Sequence, residues 1–160
     1  MDLVIHAAWP VHFSAGLQSF VPHLQGLRNL INLARSNDAS LYFCSSTASV
    51  LGGRFNTIEE RIYTDPSDAV AIGYARSKFV AESICDAAAK AGGKSKIGVL
   101  RLGQLSGDTV NGIWKTEEGW PQLFSSAEFV GCLPDLNEVG MIGLDKEKDN
   151  ELLTICLNRP

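Results

Sequence analysis

The sequence predicts an α/β protein organised as a doubly wound parallel sheet, and three observations predict it. Apolar strand-like runs alternate with amphipathic helical stretches in the order strand, helix, strand, helix, strand, the pattern of right-handed parallel crossovers. The central apolar run, Leu41-Tyr42-Phe43-Cys44, ends abruptly in the hydroxyl residues Ser45-Ser46-Thr47, at the strand end where open α/β sheets bind ligands. Tyr74 and Lys78 stand four residues apart at the head of the second helical stretch, on one helix face.

The elements follow in chain order. Asp2-Leu3-Val4-Ile5 is a short apolar strand. Val21, Leu24, Leu27, Ile31 and Ala34 recur at helical spacing from Pro22, a first-turn residue, to the break at Ser36-Asn37-Asp38. That helix packs on the sheet. Leu41 to Cys44 suit a strand buried on both faces, with Ser46 and Thr47 at its carboxyl end. The second helix runs from about Tyr74 to Ala91 and stops at Gly92, with Val80, Ile84, Ala87 and Ala91 as its buried stripe. Ile97 to Leu102 supplies the next strand. After Gly103 the pattern loosens, and Trp114 and Trp120 either line a ligand tunnel or pack in a core. Asp145 to Glu151 is a charged run that reads as a solvated turn. Leu152 to Leu157 is either a strand docked at a sheet edge or translated non-coding sequence.

Composition narrows the function. A chain of 160 residues with 45% apolar and 20% charged residues suits one domain with a real core. Its formal charge of −4, without a basic cluster, argues against a nucleic-acid surface. No apolar stretch approaches membrane-spanning length and the start has no signal-peptide pattern, so a cytoplasmic protein without a membrane partner is expected. Cys44, Cys85, Cys132 and Cys156 are scattered, with no CxxC, and read as reduced, mostly buried thiols. His6, His12 and His23 share no metal-ligand spacing, so no metal is expected, and His6 reads as a strand-end residue hydrogen-bonded locally.

The chemistry concentrates in two places. A free phenol titrates near pH ~10, too high for easy proton exchange near neutrality. A lysine one helical turn away lowers it, which makes Tyr74 and Lys78 an acid/base pair. Taken singly, the pair reads as a solvated helix face and the Ser/Thr segment as a loop capping the next element. Taken together they supply a hydroxyl for a carbonyl oxygen, a phenol to protonate it and a lysine to hold a ribose. Those are the parts of a nicotinamide-dependent reductase.

Five segments in order resemble the extended branch of the short-chain dehydrogenase/reductase superfamily. They are His6-Ala7-Ala8-Trp9, Gly26-Leu27-Arg28-Asn29-Leu30-Ile31, Ser45-Ser46-Thr47, Tyr74 to Lys78, and Leu100-Arg101-Leu102-Gly103-Gln104. A narrower resemblance, to thioester reductase domains, is carried by Ala8-Trp9-Pro10-Val11-His12-Phe13, Gly103-Gln104-Leu105-Ser106-Gly107-Asp108 and Asn111-Gly112-Ile113-Trp114. Trp120-Pro121 and Leu133-Pro134-Asp135-Leu136 extend it. Such domains end fungal nonribosomal-peptide-synthetase-like enzymes and adenylate-forming reductases.

The resemblance implies a partial NAD(P)-binding reductase domain over residues 1–136, with residues 137–160 left as an unassigned tail. The implied sheet is Rossmann-like but lacks its first three strands, with Leu3 to Ile5 matching the family's fourth. The Gly-x-x-Gly-x-x-Gly turn that holds a cofactor pyrophosphate is absent: Gly52-Gly53 and Gly92-Gly93 fall elsewhere. The chain therefore reads as a fragment, with weak or no NADPH binding by itself and an open sheet edge suited to self-association.

In a complete enzyme the implied reaction is hydride transfer from NADPH, with NADH as the alternative, to an acyl thioester on an acyl-carrier or peptidyl-carrier partner. The product is an aldehyde or alcohol. Thr47, with Ser46 as fallback, stabilises the developing charge, Tyr74 donates the proton and Lys78 holds the ribose. Ala7, Ala8, Trp9, Ser46 and Gly103 border the cofactor. Asn29 supports a proton relay or is a polar helix residue, Glu82 is a salt-bridge partner for Lys78, and Arg101 orients the strand end or pairs with an acid. The alternatives are a nucleotide-sugar epimerase or dehydratase of the same branch, and a non-catalytic fragment.

Overall fold

The computed structural model describes residues 1–52, 58–105, 107–108, 110–133 and 154–156. Contacts divide the chain into two compact units, residues 1–103 with 153–160, and residues 104–152.

The first unit is built on one sheet of strand order β1-β2-β3-β4. Strands β1 (Leu3–His6), β2 (Ser40–Ser46) and β3 (Ile97–Leu102) are parallel, and β4 (Thr154–Cys156) joins antiparallel with Cys156 opposite Val99. Helix α1 (Val21–Ser36) connects β1 to β2, and α2 (Gly73–Lys90) lies between β2 and β3. The expected alternation is present, and so is a strand within the Leu152 to Leu157 ending. The charged run Asp145 to Glu151 and residues 134–136 lie outside the described residues.

Register decides what is buried. Leu41 pairs with Ile97 and Phe43 with Val99, so these four side chains share a face, and all are buried. Leu27, Ile31 and Ala34 of α1 and Ala81 and Cys85 of α2 pack in the same cluster. Burying a Leu, Ile, Val or Phe side chain stabilises by about 1.5–3 kcal/mol, so this layer holds the unit together. Both helices cover that one face. The other face, with Tyr42, Cys44 and Ser46, is only half-buried. The expectation that β2 is buried on both faces is therefore corrected: among the described residues, helices pack on one side alone. Edge strand β1 pairs with β2 only, and its Leu3 and Ile5 are 50% and 62% exposed.

Helix α1 keeps the stripe read from the sequence in Leu27, Ile31 and Ala34, with Leu24 partly buried and Val21 exposed. Helix α2 does not keep its predicted stripe. Its buried residues are Ala75, Ser77, Lys78, Phe79, Ala81, Glu82 and Cys85, whereas Val80 and Ile84 are half-buried and Ala87 and Ala91 exposed. A search for apolar period picked a neighbouring face because the sheet-facing one carries Ser77, Lys78 and Glu82. The helix ends where expected, just before Gly92, whose φ of 73° suits glycine after a helix. At its start the Ala15 carbonyl and the Gly16 backbone press against Gly73, leaving no room for a Cβ.

The second unit contains α3 (Gly119–Val130), which buries no residue and is closed by Gly131 at φ 77°. Among the described residues, no helix in either unit is long and apolar enough to cross a membrane.

Candidate active site

Because β1, β2 and β3 run parallel, their carboxyl ends share one rim. Ser46 is level with Leu102, which puts Gly103 one residue beyond it, and β1 releases Ala7 and Ala8 beside Phe43. Ala7 and Ala8 are exposed, while Gly103 and Thr47 are half-buried.

The first turn of α2 brings Tyr74 to this rim, with its phenol beside the Ser46 side chain. Ser46 also caps the short 3₁₀ turn Thr47–Ser49 by accepting from the Ala48 N–H at 3.3 Å. Burial pushes the Tyr74 phenol above its ordinary value, and the neighbouring Ser46 hydroxyl opposes that only in part. A phenol lowered by Lys78 is therefore not observed. The reason is geometric: Lys78 Nζ is 5.9 Å from the Tyr74 ring centre and turns instead to the Cys44 carbonyl, to which it donates at 2.6 Å.

Lys78 is 3% exposed, with its Nζ 4.6 Å and 5.0 Å from the Phe43 and Trp9 ring centres. Burial pushes its ammonium down to about 8, opposed by the Cys44 and Glu82 side chains. Trp9 is also turned inward. Its indole donates to Ser77 Oγ at 3.1 Å and packs edge-on to Phe43, so its ring belongs to the core and only its neighbours Ala7 and Ala8 face outward. His6 makes ring contacts with Trp9 and Phe43 in place of the expected local hydrogen bond, and burial, Lys78 and His23 lower its imidazole.

Thr47 adjoins this group, and no hydrogen bond of its hydroxyl occurs among the described residues. Phe13, 61% exposed, stands edge-on to Tyr74 at 5.3 Å and forms an apolar wall that sequence reasoning did not single out. Asn29 is exposed on α1 and joins no site residue.

Glu82 corrects a further expectation. Its partner is Arg101 and not Lys78: Arg101 Nη2 donates to Oε2 at 2.6 Å, and Nε lies 3.1 Å from both carboxylate oxygens. Both side chains are essentially sealed from water, at 0% and 2% exposure. Ser45 and Ser49 donate to the same carboxylate at 2.5 and 2.6 Å. The pairing of Arg101 with an acid was expected from the sequence and is present; that the acid is Glu82, with Ser45 and Ser49 joined to it, was not read there.

Elsewhere the chemistry is quiet. Cys85 is buried, its thiol pushed up to about 12 by burial, while Cys44 is half-buried and Cys132 exposed, so the expected burial holds for one of these three free thiols. No His/Cys/Asp/Glu group suited to a metal occurs among the described residues. In the second unit Trp114 donates to Glu118 at 3.0 Å and clusters with Trp120 around Phe124, so neither tryptophan is fully buried among the described residues. Ser106, Gly53 and the Pro134 to Leu136 part of the C-terminal match lie outside the described residues. A hollow of about 350 Å³ is lined by Leu51, Pro66, Ser67, Val70 and Arg76 among others, but by none of Ser46, Thr47, Tyr74 and Lys78.

Comparison with known proteins gives a consistent result. An NAD-binding family described as "Male sterility protein" matches residues 1–145. The chain is 36% identical over 142 residues to a carboxylic acid reductase of Neurospora crassa, covering 84% of this chain and 13% of that protein. It is 40% identical over 138 residues to the adenylate-forming reductase Nps10 of Heterobasidion annosum, covering 82% of this chain and 12% of the relative. Among solved structures, the terminal R domain from the myxalamid PKS-NRPS biosynthetic pathway superposes with a TM-score of 0.73 at 27% identity, covering 84% of this chain and 34% of that one. The chain thus spans about an eighth of the length of these curated relatives.

Proposed function

We propose that this chain, which belongs to the male sterility protein family of NAD-binding domains, is the catalytic half of a thioester reductase: an NADPH-dependent domain reducing a carrier-bound acyl thioester to an aldehyde or alcohol. The observation that carries the reading is the meeting of Ser46, Thr47 and Tyr74 at the carboxyl rim of a parallel sheet, with Lys78 one turn behind and bonded to the Cys44 carbonyl. The relatives named above are reductases, which favours this over an epimerase or dehydratase with the same constellation.

The residues fit the nicotinamide end of the cofactor. Exposed Ala7 and Ala8 and half-buried Gly103 offer backbone at the rim, beside the half-buried Tyr74 phenol. A glycine-rich turn for its pyrophosphate end does not occur within this sequence. When bound, the cofactor supplies the hydride. The uncommitted Thr47 hydroxyl hydrogen-bonds the thioester carbonyl oxygen and stabilises the charge that develops there. Tyr74 gives that oxygen its proton, and the neighbouring Ser46 hydroxyl stabilises the phenolate left behind. Lys78 ties α2 to the end of β2 through its bond to the Cys44 carbonyl, one turn from Tyr74. Phe13 shields the phenol from water on its exposed side.

The assignment also makes the carrier arm of a parent enzyme the partner, the cytoplasm the compartment and the bare β1 edge a place of association. In a reductase containing this segment, Tyr74→Phe should lower turnover by roughly 10²–10⁴-fold, the usual worth of a positioned acid, with cofactor affinity kept. Near-normal turnover would refute the role of Tyr74, and tight binding of a nucleotide sugar would favour the epimerase reading.

A further inference from the structure

We propose that Glu82 is a positioning residue: it fixes the Ser46–Thr47 turn against α2, and with it the pairing of Ser46 with Tyr74. This rests on the reading of Ser46, Thr47, Tyr74 and Lys78 as the reaction site, and it assigns to a buried carboxylate outside that set the task of holding it together.

Three successive turns of one helix grip the end of one strand. Tyr74 lies beside Ser46, Lys78 donates to the Cys44 carbonyl, and Glu82 accepts from Ser45 and Ser49. The last two hydroxyls lie on either side of Ser46 and Thr47 in the chain. Glu82 therefore clamps both ends of the turn that carries the reacting hydroxyls. Ser49 ties the clamp to the turn itself, because its Oγ is also 2.7 Å from the Ser46 carbonyl oxygen. Its single proton lies within reach of both oxygens, so it bridges them.

The clamp needs a fixed anchor, and Arg101 provides it. The guanidinium rises from β3 immediately opposite Ser45 in the sheet register and contacts both carboxylate oxygens. Glu82 thus joins α2, the turn after β2, and β3 at one point, 1% exposed. A pair serving stability alone would need neither serine. Two hydroxyls spent on the same oxygen, at the two flanks of the reactive turn, are what a positioning role requires.

The test reads Tyr74 directly and needs no turnover. The full chain is made with 3-fluorotyrosine, and the Tyr74 fluorine signal is titrated by NMR. Ser46→Ala should raise its midpoint by about 0.5 to 1 pH unit, the shift expected from losing one net hydrogen bond to the phenolate. Glu82→Gln should raise it by a similar amount while the far-ultraviolet circular dichroism of the folded chain is retained. The double variant should add nothing further. If Glu82→Gln does not fold, Ser45→Ala/Ser49→Ala leaves the Arg101 pair intact and should give the same rise. A Tyr74 signal and midpoint that move in Ser46→Ala yet stay at wild type in these clamp variants would overturn the positioning role alone. A Tyr74 signal unmoved by Ser46→Ala would overturn the site and the positioning role with it.

Discussion

Arg101→Leu should be among the most damaging single substitutions in the first unit, and the structure sets its size. Arg101 and Glu82 are 0% and 2% exposed, so neither charge is shielded by water. Removing the guanidinium deletes three contacts of 2.6 to 3.1 Å and leaves the carboxylate with the Ser45 and Ser49 hydroxyls. Breaking a buried pair from one side costs about 3–5 kcal/mol, because the remaining charge is stranded in a medium that solvates it poorly. Domains of this size are stable by about 5–15 kcal/mol, so the variant should lie near the edge of folding. The two serines place the expected cost at the lower end of that range. Urea denaturation followed by circular dichroism measures it, with the slope checked against wild type. The companion is Glu82→Leu/Arg101→Leu, which removes both charges and should recover much of the loss. A single-variant cost under about 1 kcal/mol, the value of an exposed pair, would refute the reasoning, as would a double variant no better than the single.

Three further outcomes are expected. Lys78 is held down to about 8 against an ordinary 10.5, so below pH 8 folding carries the full cost of burying its charge, about 3 kcal/mol at most. Between pH 8 and 10.5 the unfolded chain keeps a proton that the folded chain has lost, and stability rises with pH. Lys78→Met should therefore be the more stable protein at pH 7, with its advantage shrinking to nothing by pH 10.5; a pH-independent difference in urea midpoints would contradict this. Gly73→Ala places a Cβ against the Ala15 carbonyl and should cost about 1–3 kcal/mol in the same denaturation assay, whereas an unchanged midpoint would show that the 15–17 segment yields freely. Trp9→Phe removes the 3.1 Å hydrogen bond to Ser77 and part of a core ring, an expected loss of about 1–2 kcal/mol read by thermal melting.

What was legible in the sequence was whatever depended on local pattern. The spacing of Leu27, Ile31 and Ala34, the hydroxyl burst after Cys44 and the glycine stop at Gly92 each reported a backbone fact, and each is present. Tyr74 and Lys78 were placed on one helix face because four-residue spacing requires it. Arg101 was read as able to pair with an acid, but that the acid is Glu82 was not legible, since helical spacing offered Glu82 to Lys78 and local pattern cannot show that β3 brings Arg101 to the same point across 19 residues. The buried stripe of α2 failed for a related reason. A hydrophobic period finds the face that water avoids only where that face is apolar, and here it holds a lysine, a glutamate and a serine. Burial on both sides of β2 failed too: a continuous apolar run is what a strand covered on both faces shows, yet among the described residues the helices cover only the Leu41 and Phe43 face and leave Tyr42 and Cys44 half-buried.

These misses share a cause that bears on how the site works. Helix α2 spends its sheet-facing side on chemistry, and the energetic consequences divide along it. Lys78 is held in an environment that disfavours its charge, a cost the fold tolerates one turn from Tyr74. One turn further, Glu82 meets a matched guanidinium and two hydroxyls, so its burial costs far less than a lone carboxylate would. The helix is thus strained at its functional end and pinned at the next turn. That arrangement accounts for a polar face in the core of a small sheet: the Glu82 anchor, with the Lys78 bond to the Cys44 carbonyl, adds directional contacts to the apolar packing of Ala81 and Cys85 and so fixes the rotation of α2 that brings Tyr74 beside Ser46.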